Sequence, residues 1–210
     1  MYMKSLNQYI NESFKIGKNK IVNKTYKYFP KSKTKLQQII ISLISKYGKD
    51  ANLNEIDTSE ITDMSELFSD FNVGKINISD WNVSQVRNMN AMFAGNPDFD
   101  CDLSSWDVSK VKDMRFMFYN CVNFEGKGLE NWNVEKVEDI SNMFQYCHKF
   151  TGKSIEDWNL KSIKFMYNTF AWCSHLDCNL EKWTDKLPKN VAINDIFKGC
   201  SGIFKEPSWA

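Results

Sequence analysis

Apolar residues recur at fixed places in a unit of 25–26 residues. The unit is clearest in Leu103, Trp106, Val108, Val111, Met114, Met117, Phe118, Cys121 and Phe124. It returns as Leu129, Trp132, Val134, Val137, Ile140, Met143, Phe144, Cys147 and Phe150. Trp81, Trp106, Trp132, Trp158 and Trp183 mark the beat, in steps of 25, 26, 26 and 25 residues. A repeat of this length predicts stacked units that bury a core only against one another. Six rungs begin near Leu53, Ile78, Leu103, Leu129, Ile155 and Leu180, with Ile56 in the Trp place of the first.

Two periods alternate inside a rung. Val111, Met114, Met117, Phe118 and Cys121 have helical spacing, and Asp113, like Asp63, Asn88 and Asp139, is placed to cap such a helix. Phe99, Cys101 and Leu103 alternate, as do Leu176, Cys178 and Leu180, which predicts one short strand per rung, paired in parallel with its neighbours. Asp107-Val108-Ser109 and its equivalents read as the turn between them. The fifth rung departs at Phe165-Met166 and Thr169. The sixth departs at Pro188, which sits in an insertion, so this rung and Ile203-Phe204 read as a terminal cap.

Upstream of the rungs, Leu36, Ile39, Ile40, Leu43, Ile44 and Tyr47 form one helical stripe. Pro30 precedes it, Ser32 or Thr34 can cap it, and Gly48 stops it. It predicts a helical cap over the first rung. A shorter amphipathic helix is predicted over 4–14, followed by a Lys- and Asn-rich linker and a short edge strand at Tyr26–Phe29. The expected division is a basic arm at 1–33, a helical cap at 34–50 and the repeats at 51–210, in an α/β stack of about six strand–turn–helix rungs.

Charge sharpens that division. Residues 1–50 carry 11 Lys against Glu12 and Asp50, a net +9, whereas residues 51–210 carry 16 basic and 24 acidic residues, a net −8. Lys15, Lys18, Lys20 and Lys24 could track a phosphate backbone, or the arm could be a solvated linker or lie on the chain's own acidic body. No apolar run is long enough to span a membrane, and the first residues carry no signal-peptide core, so export by the usual secretory route is not expected.

Candidate chemistry is sparse. Cys121, Cys147, Cys173 and Cys200 share one place in the rung, and Cys101 and Cys178 share another, which reads as a buried ladder of free thiols. No CxxC pair occurs, so neither a metal nor a cofactor is expected. The two histidines, His148 and His175, follow Cys147 and Cys173 too closely to pair as base and nucleophile, so no enzyme is expected. Residues that do not recur are better candidates for contact. Tyr119, Tyr146 and Trp172 fall just before the repeating Cys and are expected to form an exposed aromatic cluster, the usual anchor of a protein interface.

The phrase Trp-Asp/Asn-Val-Ser-x-Val-x-x-Met-x-x-Met-Phe-x-x-Cys-x-x-Phe resembles the BspA-like leucine-rich repeats of bacterial surface proteins, found also in mycoplasma lipoproteins and in phages of gut bacteria. The resemblance covers about residues 50–204. It implies a right-handed leucine-rich-repeat-like solenoid with a binding or adhesion role, and it carries no catalytic residues. Met3–Glu12 also resembles the targeting peptides of internal head proteins of T-even-like phages, with Ile10-Asn11-Glu12 fitting their cleavage pattern. The expected function is a non-enzymatic protein–protein interaction module that presents a rigid repeat surface to another protein. The alternative is a phage protein, virion-associated or blocking a host factor, with a targeting or nucleic-acid-binding arm. The expected location is a bacterial or phage-infected cytoplasm, or the virion.

Overall fold

The computed structural model describes residues 25–202 and 205–210. The helix expected at 4–14, Lys15, Lys18, Lys20, Lys24 and the Ile203-Phe204 cap lie outside the described residues. What is built between them is a stack of six coils made almost wholly of turns. Single-residue parallel bridges join Asp63 to Asn88, Asn88 to Asp113, Asp113 to Asp139, Asp139 to Phe165 and Phe165 to Ala192. A second bridge position links Asn52 to Asn77.

The strand–turn–helix rungs are therefore overturned, and the α/β leucine-rich-repeat-like solenoid with them. Among the described residues the one α-helix is α1, Lys33–Tyr47; the other helical pieces are 3-10 turns at Leu129–Asn131, Lys153–Ile155 and Leu180–Trp183. The place of the expected helix is taken by consecutive turns, closed in the third coil by Met117 N–H to the Met114 carbonyl (3.2 Å) and Cys121 N–H to that of Phe118 (3.0 Å). The third residue of each turn is left-handed: Phe116 and Asn120, both at φ 56°. A left-handed residue at this position marks a type II turn and ends an α-helix. The same two places recur as Glu66 and Asp70, Ala91 and Gly95, Asn142 and Tyr146, Asn168 and Trp172, and Asp195 and Gly199. Residues three apart share a side in such turns as they do in a helix, so the apolar spacing alone could not tell the two apart.

Hydrogen bonding explains why the turns win. Met89, Ala91, Phe93 and Gly95 donate their N–H groups to the Asp113, Arg115, Met117 and Tyr119 carbonyls of the next coil at 2.8–2.9 Å. Met92 and Ala94 instead donate back to Met89 and Ala91 within their own coil, at 3.2 Å. Alternate donors thus stitch coil to coil, and the backbone groups of a buried segment are satisfied without a helix or a wide sheet. Asp63, Asn88, Asp113 and Asp139 cap these turns rather than helices, each accepting through Oδ1 from the N–H two residues on, at 2.8–3.0 Å.

Three side-chain columns fill the interior. Phe68, Phe93, Phe118, Phe144, Phe170 and Phe197 stack with ring centroids 5.5–5.8 Å apart. Each Trp that marks the beat lies inside and donates its indole N–H to the carbonyl of the Leu or Ile that opens the preceding coil: Trp106 to Ile78 at 3.2 Å, Trp132 to Leu103 at 3.1 Å, Trp158 to Leu129 at 2.9 Å. The third column is the thiols, with Cys121, Cys147, Cys173 and Cys200 donating to the carbonyls of Phe93, Phe118, Phe144 and Phe170 at 2.9–3.1 Å. In the second coil Asn96 stands in the Cys place and its amide reaches the Phe68 carbonyl at 2.7 Å, so the bond survives the change of residue. Trp209 continues the Trp column one step further, 5.9 Å from Trp183 and bonded to the Leu180 carbonyl. It lies 26 residues after Trp183, a step of the same beat that the sequence reading passed over.

Helix α1 starts where Ser32 caps the Lys35 N–H and ends at Gly48, whose φ of 85° a glycine adopts without penalty. Leu36, Ile40 and Leu43 are buried in the core that begins with the first coil, while Tyr47, expected on the same stripe, is 61% exposed. The expected edge strand shrinks to one parallel bridge, Tyr28 to Ile56. Lys27, Lys31 and Lys33 pair with Glu55, Glu60 and Asp63 of the first coil. These pairs are exposed and contribute little each; the buried Leu and Ile side chains hold the helix.

Truncating one ring in the Phe column should open a cavity that neighbouring coils cannot close. Phe118→Ala is expected to destabilise by about 3–5 kcal/mol. Trp132→Phe keeps most of the apolar bulk but removes one of the two hydrogen bonds to the Leu103 carbonyl, which keeps the Trp106 N–H, with an expected loss of about 0.5–1.5 kcal/mol. Urea unfolding followed by circular dichroism measures both.

Candidate interaction surface

The turn segment that builds the core also carries the exposed aromatics. Phe116 meets Tyr119 edge-on at 5.7 Å, Tyr119 meets Tyr146 at 5.7 Å and 81°, and Tyr146 stacks on Trp172 at 6.3 Å and 14°. The three residues expected from sequence are thus brought together across the third, fourth and fifth coils. Trp172 is 44% exposed and Phe116 37% exposed; Tyr119 and Tyr146 are half-buried. The far face of the Trp172 ring lies against Gly199, where an added Cβ would come within 2.5 Å of it.

Three of these rings sit on left-handed backbone: Phe116 at φ 56°, Tyr146 at 64° and Trp172 at 63°. Such a position costs a bulky L-residue about 1–2 kcal/mol relative to right-handed backbone. The places equivalent to Tyr146 and Trp172 are filled by Asp70, Gly95, Asn120 and Gly199, and those equivalent to Phe116 by Glu66, Ala91, Asn142, Asn168 and Asp195. Tyr146 and Trp172 therefore occupy a place that the other coils give to Gly, Asn or Asp, and no other coil puts an aromatic ring in the place of Phe116.

Phe116 was missed by the sequence reading, as were Phe165 (40% exposed) and Tyr167 (37% exposed), whose rings lie 5.9 Å apart. The signal was present: each stands where other rungs carry polar or small residues. It was masked because an apolar residue near a core phrase reads as core.

The cysteines and histidines separate. Cys121, Cys147 and Cys173 are fully buried, whereas His148 and His175 are exposed. Ser174 Oγ lies 3.4 Å from His148 Nδ1 and 3.2 Å from His175 Nδ1, and His175 Nδ1 is 2.6 Å from the His148 carbonyl, its donor role satisfied by backbone. Among the described residues no group of three or more His, Cys, Asp or Glu could hold a metal ion, and no helix is long and apolar enough to cross a membrane. All six cysteines are free thiols, Cys200 only partly buried. Burial pushes the Cys121, Cys147 and Cys173 thiols well up, and that of Cys178 up to about 12. Hydrogen-bonded, desolvated thiols of this kind are poor nucleophiles.

Fold and site together define a repeat protein whose turn-built coils display an ordered row of aromatic side chains. The family model described as "Mycoplasma protein of unknown function, DUF285" matches residues 34–128 and again 121–208, and the chain belongs to this family. That match replaces the phage association expected from sequence, since the family is described from Mycoplasma and the leucine-rich-repeat architecture is not built. No curated protein and no solved structure matches the chain.

The thiol ladder sets a pH limit on stability. Above the ordinary thiol value of about 8.5 the unfolded chain loses its thiol protons while the buried ladder keeps them. The unfolded state then binds fewer protons, so stability falls as pH rises from about 9 towards the raised folded values. Urea midpoints between pH 7 and 11 should show this decline, and it should flatten in Cys147→Ala/Cys173→Ala; the double variant will be less stable at pH 7 but shallower in slope.

Proposed function

We propose that this protein is a non-enzymatic interaction module, and that another protein docks on the turn face of the third to fifth coils through Phe116, Tyr119, Tyr146 and Trp172. The observation that carries the reading is the placement of three large rings on left-handed backbone. Strain held at an exposed aromatic, where a glycine or asparagine serves the fold elsewhere, points to selection for contact. Exposed Tyr and Trp are the side chains that most often anchor protein interfaces. The rings also pack on one another and on Gly199, so little side-chain freedom is lost when a partner arrives. The likeness of the Trp-Asp/Asn-Val-Ser phrase to BspA-like repeats of bacterial surface proteins accords with a binding role.

The test separates contact from structure. In Tyr146→Asn/Trp172→Asn, relief of backbone strain and loss of ring packing oppose each other, so stability should change by no more than about 1 kcal/mol. Affinity for the partner should fall by at least about 2 kcal/mol, roughly thirty-fold. Parallel pull-downs with the full chain and this variant, followed by calorimetry on any protein retained in stoichiometric amount, give the result. Equal retention by both baits would remove these rings from the binding site.

A further inference from the structure

Charge along the coils is not distributed as the net −8 of residues 51–210 would lead one to expect. In each coil a short turn follows the Trp by three to six places. In the second to fifth coils these turns comprise residues 84–87, 109–112, 135–138 and 161–164. They hold six basic side chains, Arg87, Lys110, Lys112, Lys136, Lys161 and Lys164, against Glu135 and Glu138, a net +4. The rest of 51–210 carries ten basic and 22 acidic residues, a net −12. A local reversal on that scale focuses anions onto one strip.

The strip is one continuous face. Lys110 Nζ reaches Gln85 Oε1 at 2.8 Å, Lys161 reaches Glu135 at 2.7 Å, and Glu138 holds Lys112 at 3.2 Å and Lys164 at 2.5 Å. These links cross every interface between adjacent coils of the strip. Hydrogen bonds from Lys164 and Lys112 hold the Glu138 carboxyl below its ordinary range, so it stays ionised and keeps the two ammonium groups side by side. A groove of about 540 Å³ opens here, with Ile163 and Pro188 in its wall beside the lysines.

An independent feature borders the strip. In the first four coils the residue after each of these turns is Asp63, Asn88, Asp113 or Asp139, which caps the next turn. In the fifth coil Phe165 stands there and the side-chain cap is gone; the Tyr167 N–H turns to Ser141 Oγ of the fourth coil instead. Phe165 shares a surface depression with Lys112, Arg115 and Lys164, whose charges Asp113, Glu138 and Asp139 of the same depression face. A local folding rule is thus broken where an exposed ring meets the basic strip, and such breaks mark functional sites.

We propose that this strip docks an acidic segment of a partner protein, its carboxylates on the lysines and an apolar side chain on Phe165. Over the same four coils the Phe column advances in three steps of 5.7–5.8 Å between ring centroids, roughly 17 Å, the span of about five residues of extended chain. A nucleic-acid duplex, with a charge every ~1.7 Å of axis, would run past the strip onto the first coil. There the turn in register with the strip, residues 59–62, has no basic side chain of its own and holds Glu60, paired with Lys31. The strip shares no residue with the Phe116–Trp172 row, so either surface can fail without the other.

The test is fluorescence anisotropy with the full chain at ~0.15 M salt. The probe is a labelled octapeptide of glutamates with one central phenylalanine. An unlabelled eight-nucleotide thymidine strand serves as competitor. Lys136→Glu/Lys164→Glu should weaken peptide binding about ten-fold or more, and Phe165→Asp, which restores the turn cap, should weaken it while leaving thermal stability equal or higher. Reversal of Lys15, Lys18, Lys20 and Lys24 should leave binding intact. If Lys136→Glu/Lys164→Glu does not fold, Lys136→Gln/Lys164→Gln gives the same reading with a smaller loss. No peptide binding, undiminished binding by a folded strip variant, loss of binding on arm reversal alone, or tighter binding of the oligonucleotide through the same lysines would each overturn the proposal.

Discussion

Each backbone N–H of the turn segment must find an acceptor, because Met, Phe and Cys side chains on either side bury it. Alternate groups find theirs in the next coil, so no coil is complete alone. The indole and thiol columns obey the same constraint, since each donates to a carbonyl of the coil before. Stability is therefore shared between neighbours, as expected of a stacked architecture. The bond persists at Asn96, where an amide replaces the thiol and donates to the Phe68 carbonyl alongside the Phe71 N–H.

The same constraint shapes the outer surface. Turns that send alternate donors across the coil interface place two left-handed residues in each coil, and those positions project side chains outward. Gly, Asn and Asp fill many of them at little cost. Where Phe116, Tyr146 and Trp172 fill them, the backbone holds large rings at fixed spacing on a rigid support. Precise placement of this kind is easier on a stack than on a free loop, because every ring rests on a neighbouring coil.

Electrostatics follows the coils rather than the chain halves. The basic arm read from composition is in part accounted for at the cap, where Lys27, Lys31 and Lys33 face acidic residues of the first coil. Further along, residues far apart in sequence but equal in register bring Lys110 together with Lys136, and Arg87 and Lys112 together with Lys164, onto one side. Net charge over a segment hides such a pattern, because a stack sorts residues by their place in the repeat.

The period, the number of coils and the Phe, Trp and Cys columns were legible in the sequence, because each rests on identical side chains returning at a fixed step; the cap helix was legible from its apolar stripe and Gly48, with its start left between Ser32 and Thr34. The aromatic cluster at Tyr119, Tyr146 and Trp172 was legible for the opposite reason: these residues break the repeat. What Val111 to Cys121 would become was not legible, since a spacing of three and four places suits a helix and a train of turns alike. Only the tertiary structure decided between them. The deciding acceptors belong to the next coil, about 25 residues away, and no local pattern records where a donor will find its partner once coils are stacked.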